Sequence, residues 1–186
     1  MTRNAVRGRP RASSRATLED AANELFLERG YDATSITDIA TRAGVSRTSF
    51  FSYFPTKADV LWSPIDDHLS ALEARAAAGA TLREAITAEF AHDTNATASV
   101  GLLFSDTIGA HDEILASAMP RLVRLAHVVA TFEGLEGTLA VADRARVYAI
   151  TGELVAGWRE WLDAGFGRGP LAEYLVRSAP RIRIQP

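Results

Sequence analysis

The chain has 186 residues, of which 47% are hydrophobic, 23% are charged and none is cysteine. This composition supplies an ample core for a soluble globular protein, and the lack of cysteine excludes disulfide frameworks and thiolate chemistry. No apolar stretch approaches the roughly 20 residues that span a bilayer, and the basic N-terminus has no apolar signal region, so we expect a cytoplasmic protein with no membrane contact.

The net charge of -3 is unevenly distributed along the chain. Residues 1–62 hold nine basic and seven acidic residues, whereas residues 63–186 hold eleven basic and sixteen acidic ones. Five arginines, the last of them Arg15, precede the first acidic residue, Glu19. A positive field at one end is expected of a module that faces DNA, although a solvated disordered tail has the same composition.

Residues 1–12 are predicted to be a flexible basic arm. They contain Arg7-Gly8-Arg9-Pro10-Arg11, which resembles the Gly-Arg-Pro core of AT-hook segments. An extended arm of this kind suits an A·T-rich minor groove, whose narrow, electronegative shape attracts arginine. We therefore expect Arg7 and Arg9 to bind DNA, the alternative being a mobile tail without contacts.

The stretch from Ser35 to Phe54 reads as two short helices joined by a tight turn. Ser35 and Asp38 have the capping-box arrangement that opens a helix. Gly44 can end this helix in the left-handed conformation, and Ser46 can cap the next one. Two helices on so tight a turn are typical of a helix-turn-helix, whose second helix enters the DNA major groove.

An amphipathic helix precedes this motif and ends at Gly30. Its apolar residues, from Leu18 to Phe26, recur at three- and four-residue spacing. This helix should form the wall on which the two motif helices pack. We expect the three-helix core to be completed by Ile36, Ile39, Val45, Phe51 and Phe54.

These features resemble the DNA-binding domain of the tetracycline-repressor (TetR) family. The resemblance covers roughly residues 14 to 62 and rests on Gly30-Tyr31, Thr34-Ser35-Ile36, Ile39-Ala40, Ala43-Gly44-Val45-Ser46 and Phe51-Ser52-Tyr53-Phe54-Pro55-Thr56-Lys57-Ala58-Asp59. The family usually has Gly, Thr, a Leu-like residue and Tyr where this chain has Thr48, Ser49, Phe50 and Phe51. Phe51 lacks the phenolic hydroxyl that family members often direct at a phosphate.

The resemblance implies a set of contacts with double-stranded DNA over a domain of residues 13–62. We expect Arg47 and Thr48 to read base edges. The residues expected to contact the phosphate backbone are Ser46, Ser49, Tyr53, Lys57, Thr34 and Thr37. Lys57 is the only lysine of the chain, and the matching residue of the family lies near the DNA backbone.

In residues 63–186 the apolar residues recur at helical spacing and do not alternate with polar ones as they would in strands. The predicted fold class is therefore all-α. Pro64 should either kink the helix that begins near Thr56 or make it restart at Ile65. The TetR resemblance implies that this second domain binds a ligand and dimerises. It is therefore predicted to be the effector-binding and dimerisation domain.

Two sets of residues in this region carry the implied roles. In the family the last two long helices of each subunit form a four-helix interface, and the matching residues here are Gly152, Ala156, Leu171, Tyr174 and Leu175. Packing within one chain would give the same periodicity. The predicted pocket residues are Phe104, Leu125 and Trp158, which lie on apolar faces, where core packing is their alternative role.

The sequence contains no recognisable catalytic constellation. The four histidines form neither an HExxH motif nor a close pair, and there is no phosphate loop, so we expect no catalytic residue, metal site or cofactor.

The chain is predicted to be a homodimeric transcriptional repressor that leaves a palindromic operator when a small apolar effector binds. The alternatives are a constitutive DNA-binding regulator without an effector, and a helical small-molecule-binding protein or enzyme whose motif is fortuitous.

Overall fold

The structure is a computed structural model that describes residues 11–92, 100–165 and 167–180, with the side chains of residues 11–14 and 100–101 left out. Within these ranges every regular element is helical, which confirms the all-α prediction. The helices that begin before residue 92 are α1 Arg11–Arg29, α2 Ile36–Arg42, α3 Arg47–Phe51, α4 Lys57–Ala77 and α5 Leu82–Phe90. The later ones are α6 Val100–Leu103, α7 His111–Ser117, α8 Met119–Phe132, α9 Val141–Asp163 and α10 Leu171–Ser178.

The predicted capping box is present at the start of α2, and a second one opens α4. At α2 the Asp38 amide donates to Ser35 Oγ at 3.1 Å, while the Ser35 amide donates to the Asp38 carboxylate at 2.9 Å. The same pair of hydrogen bonds joins Thr56 to Asp59 at the start of α4. Hydrogen bonds from Ser35 hold the pKa of the Asp38 carboxyl below its usual value, with help from Arg29.

The described chain divides into two compact units. The first contains residues 11–63 and 100–114, and the second contains residues 64–92, 115–165 and 167–180. The division at Ser63 lies one residue from the predicted boundary. Segment 100–114, which the sequence assigned to the second domain, belongs instead to the first unit because it packs into that unit's core.

The core of the first unit is built from α1, α2, α3, the start of α4 and segment 100–114. It includes Leu18, Leu25, Phe26, Tyr31, Ile39, Phe50, Phe54, Leu61, Ile108 and Ala110. Ile36 and Val45 pack against it, as predicted. The prediction is wrong for Phe51, which is 45% exposed, because the neighbouring Phe50 occupies the core-facing position of α3.

Helix α4 runs without interruption from Lys57 to Ala77 and contains Pro64. The restart at Ile65 therefore does not occur. Proline lacks an amide hydrogen, so α4 forgoes one backbone hydrogen bond at this position. The boundary between the units is thus crossed by a continuous helix rather than by a linker.

In the second unit, α9 packs against α8 and α10, and α10 also packs against α5. Trp161 of α9 is fully buried and its Nε1 donates to the Gly169 carbonyl at 3.1 Å. At Gly157, α9 and α10 approach closely, since an added Cβ would lie 2.9 Å from the Tyr174 carbonyl oxygen. The penultimate helix is therefore anchored along one side by α10.

Candidate nucleic-acid interface

The turn between α2 and α3 has the geometry of a helix-turn-helix. Gly44 adopts a φ of 68°, which favours glycine, and the next amide, of Val45, donates to the Ala40 carbonyl at 2.9 Å. Ser46 then caps α3, since its Oγ accepts from the Ser49 amide at 3.0 Å. These local contacts fix the direction in which α3 leaves α2.

Helix α3 has one buried side and one side that faces solvent. Phe50 is fully buried and packs against Phe54, with 5.6 Å between ring centroids. The predicted base-reading residues Arg47 and Thr48 lie on the exposed side, as does Phe51. The structure therefore brings both predicted base readers together on one accessible surface.

Arg47 differs from Arg29 and Arg42 because its guanidinium makes no hydrogen bond or ion pair with another described residue. Arg29 pairs with Asp38 at 3.1 Å, and Arg42 pairs with Glu28 at 2.8 Å. The Arg47 guanidinium instead lies 5.4 Å from the centroid of the Phe51 ring. Its donors are therefore available to an external partner.

The remaining polar residues near α3 differ in accessibility. Ser46 and Ser49 share a hydrogen bond of 2.9 Å between their hydroxyl oxygens. Thr37 is exposed near the start of α2. Tyr53 is half-buried and packs against the core. The phosphate contacts of these four residues stay predictions.

Thr34 has a different role from the one predicted. Its side chain is 1% exposed, and its hydroxyl donates to the carbonyls of Gly30 at 2.8 Å and Leu25 at 3.3 Å. A buried hydroxyl that is already donating within the chain cannot reach a phosphate. The prediction of a DNA contact by this side chain is wrong, and Thr34 instead holds the end of α1.

Lys57 is also engaged within the first unit. Its Nζ donates to the carbonyls of Tyr31 at 2.7 Å and Thr34 at 3.0 Å, and lies 3.8 Å from the centroid of the Tyr31 ring. Burial lowers the pKa of the Lys57 ammonium, and the carboxylates of Asp32 and Glu113 oppose this effect. Lys57 therefore ties the start of α4 to the loop after α1, and its predicted phosphate contact has at most the remaining donor.

Segment 100–114 contributes to the first unit in a way that the sequence did not predict. The Tyr31 amide donates to the Ile108 carbonyl at 2.7 Å. Gly30 has a φ of 87°, and an added Cβ would approach the same carbonyl oxygen at 3.3 Å. Gly30 was visible in the sequence as a helix end, but its long-range partner carries no local signal.

The predicted dimer residues differ in their exposure. Gly152 and Ala156 are exposed on α9, whereas Leu171 and Leu175 are buried where α10 packs within its own chain. Tyr174 is half-buried, with the Arg177 guanidinium 4.8 Å from its ring centroid. Leu171 and Leu175 are thus packed within their own chain, and their place at a dimer interface stays a prediction.

The exposed side of α9 forms a continuous stripe of small and apolar residues, which we call the α9 stripe. Its members are Val141, Ala145, Tyr148, Gly152 and Ala156. Tyr148 is 60% exposed, and a Cβ added to Gly152 would meet no atom within 4 Å. Residues at this spacing share one helix face, so the stripe offers a surface on which a second helix can approach closely.

The predicted pocket residues do not belong to one unit. Phe104 is exposed and lies in the first unit, while Leu125 of α8 and Trp158 of α9 are half-buried in the second. The Trp158 Nε1 atom is buried and has no hydrogen-bond acceptor among the described residues. Trp158 is thus the predicted pocket residue with an unused polar group.

The remaining predictions concern the N-terminal arm, a metal site and a membrane-spanning helix. Arg7 and Arg9 lie outside the described residues. Across the described ranges, no group of His, Asp and Glu has the arrangement of a metal site. In the same ranges no single helix is long and apolar enough to cross a membrane, although α7 and α8, bent by 44°, pass that test of length and composition together.

Comparisons with known proteins agree with this geometry. The family model described as bacterial regulatory proteins, tetR family, matches residues 18–62. The HTH-type transcriptional regulator TcmR of Streptomyces glaucescens is 33% identical over 150 residues, which cover 76% of this chain and 63% of TcmR. An HTH-type transcriptional repressor of Mycobacterium tuberculosis is 48% identical over 54 residues, 29% of this chain and 28% of that protein. The chain thus spans less than two thirds of either relative.

A solved structure shares the fold over most of the chain. A TetR-family transcriptional regulator from Mesorhizobium loti superimposes with a TM-score of 0.51 at 17% identity, covering 94% of this chain and 96% of that one. At this identity the likeness concerns the fold alone.

Proposed function

Because the chain belongs to the TetR family of bacterial regulatory proteins, we propose that it is a homodimeric transcriptional repressor that leaves a palindromic operator when a small apolar effector binds. The observation that carries this proposal is the exposed side of α3, where Arg47 makes no hydrogen bond or ion pair with another described residue. A free guanidinium on a recognition helix can bind the O6 and N7 atoms of guanine through two hydrogen bonds. Thr48 lies beside it on the same side.

The homodimer is supported by the α9 stripe. A single recognition helix reads few base pairs, and two-fold pairing of identical subunits doubles the contacts. Small residues such as Gly152 and Ala156 permit close helix packing, and Tyr148 adds apolar area that a partner would cover. The Leu171 and Leu175 side chains would support this interface indirectly, by holding α10 against α9.

The effector is proposed to bind in the second unit near Trp158. An indole N–H that is buried without an acceptor suits a ligand that brings an oxygen acceptor into otherwise apolar surroundings. A ligand that favours a different spacing of the two recognition helices would shift the dimer toward a form that does not bind DNA. A ligand that instead promotes DNA binding would act through the same effector site and the same dimer.

Catalysis is not part of this proposal, since the relatives named above are transcriptional regulators. The protein would act in the cytoplasm, where its operator DNA lies. A constitutive regulator without an effector remains the second candidate. It would be favoured if the folded dimer bound its operator with an affinity that no compound of a small-molecule library changed.

Selection of binding sites from a random DNA pool tests the DNA-binding proposal. We expect a palindrome whose half-sites lie about one helical turn apart, or a multiple of it. Arg47→Ala should weaken binding to the selected site by about tenfold or more for each half-site, the loss expected for one bidentate base contact. The matched control Arg177→Ala, an exposed arginine of α10, should bind normally. Recovery of no preferred sequence would overturn the proposal.

Sedimentation of α9 variants tests the dimer. Tyr148→Glu places a charge in the middle of the α9 stripe and should convert the dimer to a monomer that binds the operator weakly. Leu115→Glu is the matched control, because Leu115 is 63% exposed in the same unit but lies off the stripe. A Tyr148→Glu protein that remained dimeric would show that the interface lies elsewhere.

A further inference from the structure

The recognition helix carries an exposed aromatic ring that the proposed function does not use. Phe51 is 45% exposed on the solvent side of α3, although its neighbour Phe50 is fully buried. The two rings meet edge to face, with 5.6 Å between their centroids. Since Phe50 is fixed in the core, this contact holds the exposed Phe51 ring in a defined position. An ordered apolar ring is thus exposed on the surface proposed to bind DNA, where an apolar group of the DNA can contact it.

Phe51 also positions the residue expected to read a base. Arg47 lies one helical turn earlier on the same side, and its guanidinium is 5.4 Å from the Phe51 ring centroid. Stacking on an aromatic face leaves the N–H groups at the edge of the guanidinium free. The apolar ring and the hydrogen-bonding guanidinium therefore lie together on the exposed side of α3.

The chemistry of the major groove restricts what Phe51 can contact. A phenyl ring neither donates nor accepts a conventional hydrogen bond, so it gains nothing from the polar edges of guanine, adenine or cytosine. The thymine C5-methyl is the apolar group that the major groove presents, and phenylalanine is among the side chains that contact it. Contact removes both the ring and the methyl from water.

We propose that Phe51 is a specificity-determining residue that contacts a thymine methyl group in each operator half-site, next to the base pair read by Arg47. This inference rests on the proposed DNA-binding function and deepens it. The half-site is then read by one stacked pair of side chains, in which the guanidinium selects guanine and the ring selects an adjacent thymine.

Replacement of thymine by deoxyuridine tests this contact, because it removes the methyl group and preserves base pairing. The selected operator is synthesised with one thymine replaced at a time, and the dissociation constant is measured for each site. With the wild-type protein, one position per half-site should lose about fourfold in affinity, the ratio expected for one buried methyl group. The other positions should change little.

Two variants assign the effect to a side chain. Phe51→Ala should bind the unmodified operator more weakly and should no longer distinguish thymine from deoxyuridine at the sensitive position. Thr48→Ala is the matched control, because Thr48 is exposed on the same helix and its side-chain methyl group can also contact a thymine methyl group. It should retain the sensitivity, and thermal melting checks that both variants are folded.

The possible outcomes separate this inference from the function on which it rests. Sensitivity that survives in Phe51→Ala, or that disappears in Thr48→Ala instead, would overturn the role of Phe51 while leaving operator binding intact. A uniform response of the wild-type protein to every replacement would do the same. If the random pool yields no specific site, the proposed function fails first and the Phe51 contact fails with it.

Discussion

Replacement of Lys57 by methionine is the sharpest test of how the first unit is held together. Methionine keeps an unbranched apolar side chain but removes the ammonium, which donates to the Tyr31 and Thr34 carbonyls and lies on the Tyr31 ring. Hydrogen bonds to a charged group contribute about 1.5–3 kcal/mol each, and an exposed cation–π contact about 0.5–1 kcal/mol. Because the ammonium is only half-buried and its desolvation offsets part of this gain, we expect a net loss of about 2–3 kcal/mol.

This loss should be visible in thermal unfolding followed by circular dichroism. For a unit of this size, each kcal/mol lowers the midpoint by about 4–8 °C, so Lys57→Met should lower it by about 10 °C or more. Arg47→Met is the control, since it removes an exposed cation that makes no hydrogen bond within the described chain. It removes only the exposed contact between the guanidinium and the Phe51 ring, so it should lower the midpoint much less than Lys57→Met and should lose operator affinity.

The same pair of variants separates structural and DNA-contacting roles for Lys57. A phosphate contact adds close to one unit to the slope of log affinity against log salt concentration. A Lys57→Met protein with an unchanged midpoint and a slope reduced by about one unit would refute our reasoning. That result would mean that the ammonium is used on DNA rather than within the fold.

Three further predictions concern other parts of the chain. Gly157→Ala should lower the free energy of unfolding by about 1–3 kcal/mol in urea denaturation, because its methyl group meets the Tyr174 carbonyl, whereas Gly152→Ala should not destabilise the chain. Ser46→Ala should cost about 1 kcal/mol through loss of the α3 cap, and Ser46→Asp should restore it. Burial raises the pKa of the Tyr31 hydroxyl above its ordinary value of 10.0, so the folded form holds more protons above that pH. Stability should therefore fall as the pH rises past about 10, and Tyr31→Phe should flatten this fall in denaturation at alkaline pH.

The features that could be predicted from the sequence depend on residues close together in the chain. The Ser35 and Asp38 capping box and the left-handed Gly44 are determined by contacts over three or four residues, and both are present as predicted. The choice between Phe50 and Phe51 for the core was missed, because α3 has only five residues. Two adjacent aromatics in so short a helix leave its rotation undetermined by periodicity.

The features that could not be predicted depend on distant partners. Thr34 is an exception, because the acceptors of its hydroxyl, the carbonyls of Gly30 and Leu25, are only four and nine residues away, and it was read as a DNA contact because hydroxyl residues at a helix start often bind phosphate. Lys57 finds its carbonyls more than 20 residues away, and Ile108 meets Tyr31 across 77 positions of the chain. No periodic pattern reports contacts of this kind, which arise only when the chain has folded.

The incorporation of segment 100–114 into the first unit limits how this chain can be rearranged by protein engineering. A chimaera that joins residues 1–63 to the second unit of another protein would lack Ile108 and Ala110, both buried in the core of the first unit. It would also leave the Tyr31 amide without its acceptor. Transfer of the first unit to another protein would require two separate segments of the chain, residues 1–63 and 100–114. We therefore expect that a functional exchange of the second unit must keep both segments of the first unit together. The first unit then behaves as a discontinuous module rather than as an N-terminal domain that can be moved alone.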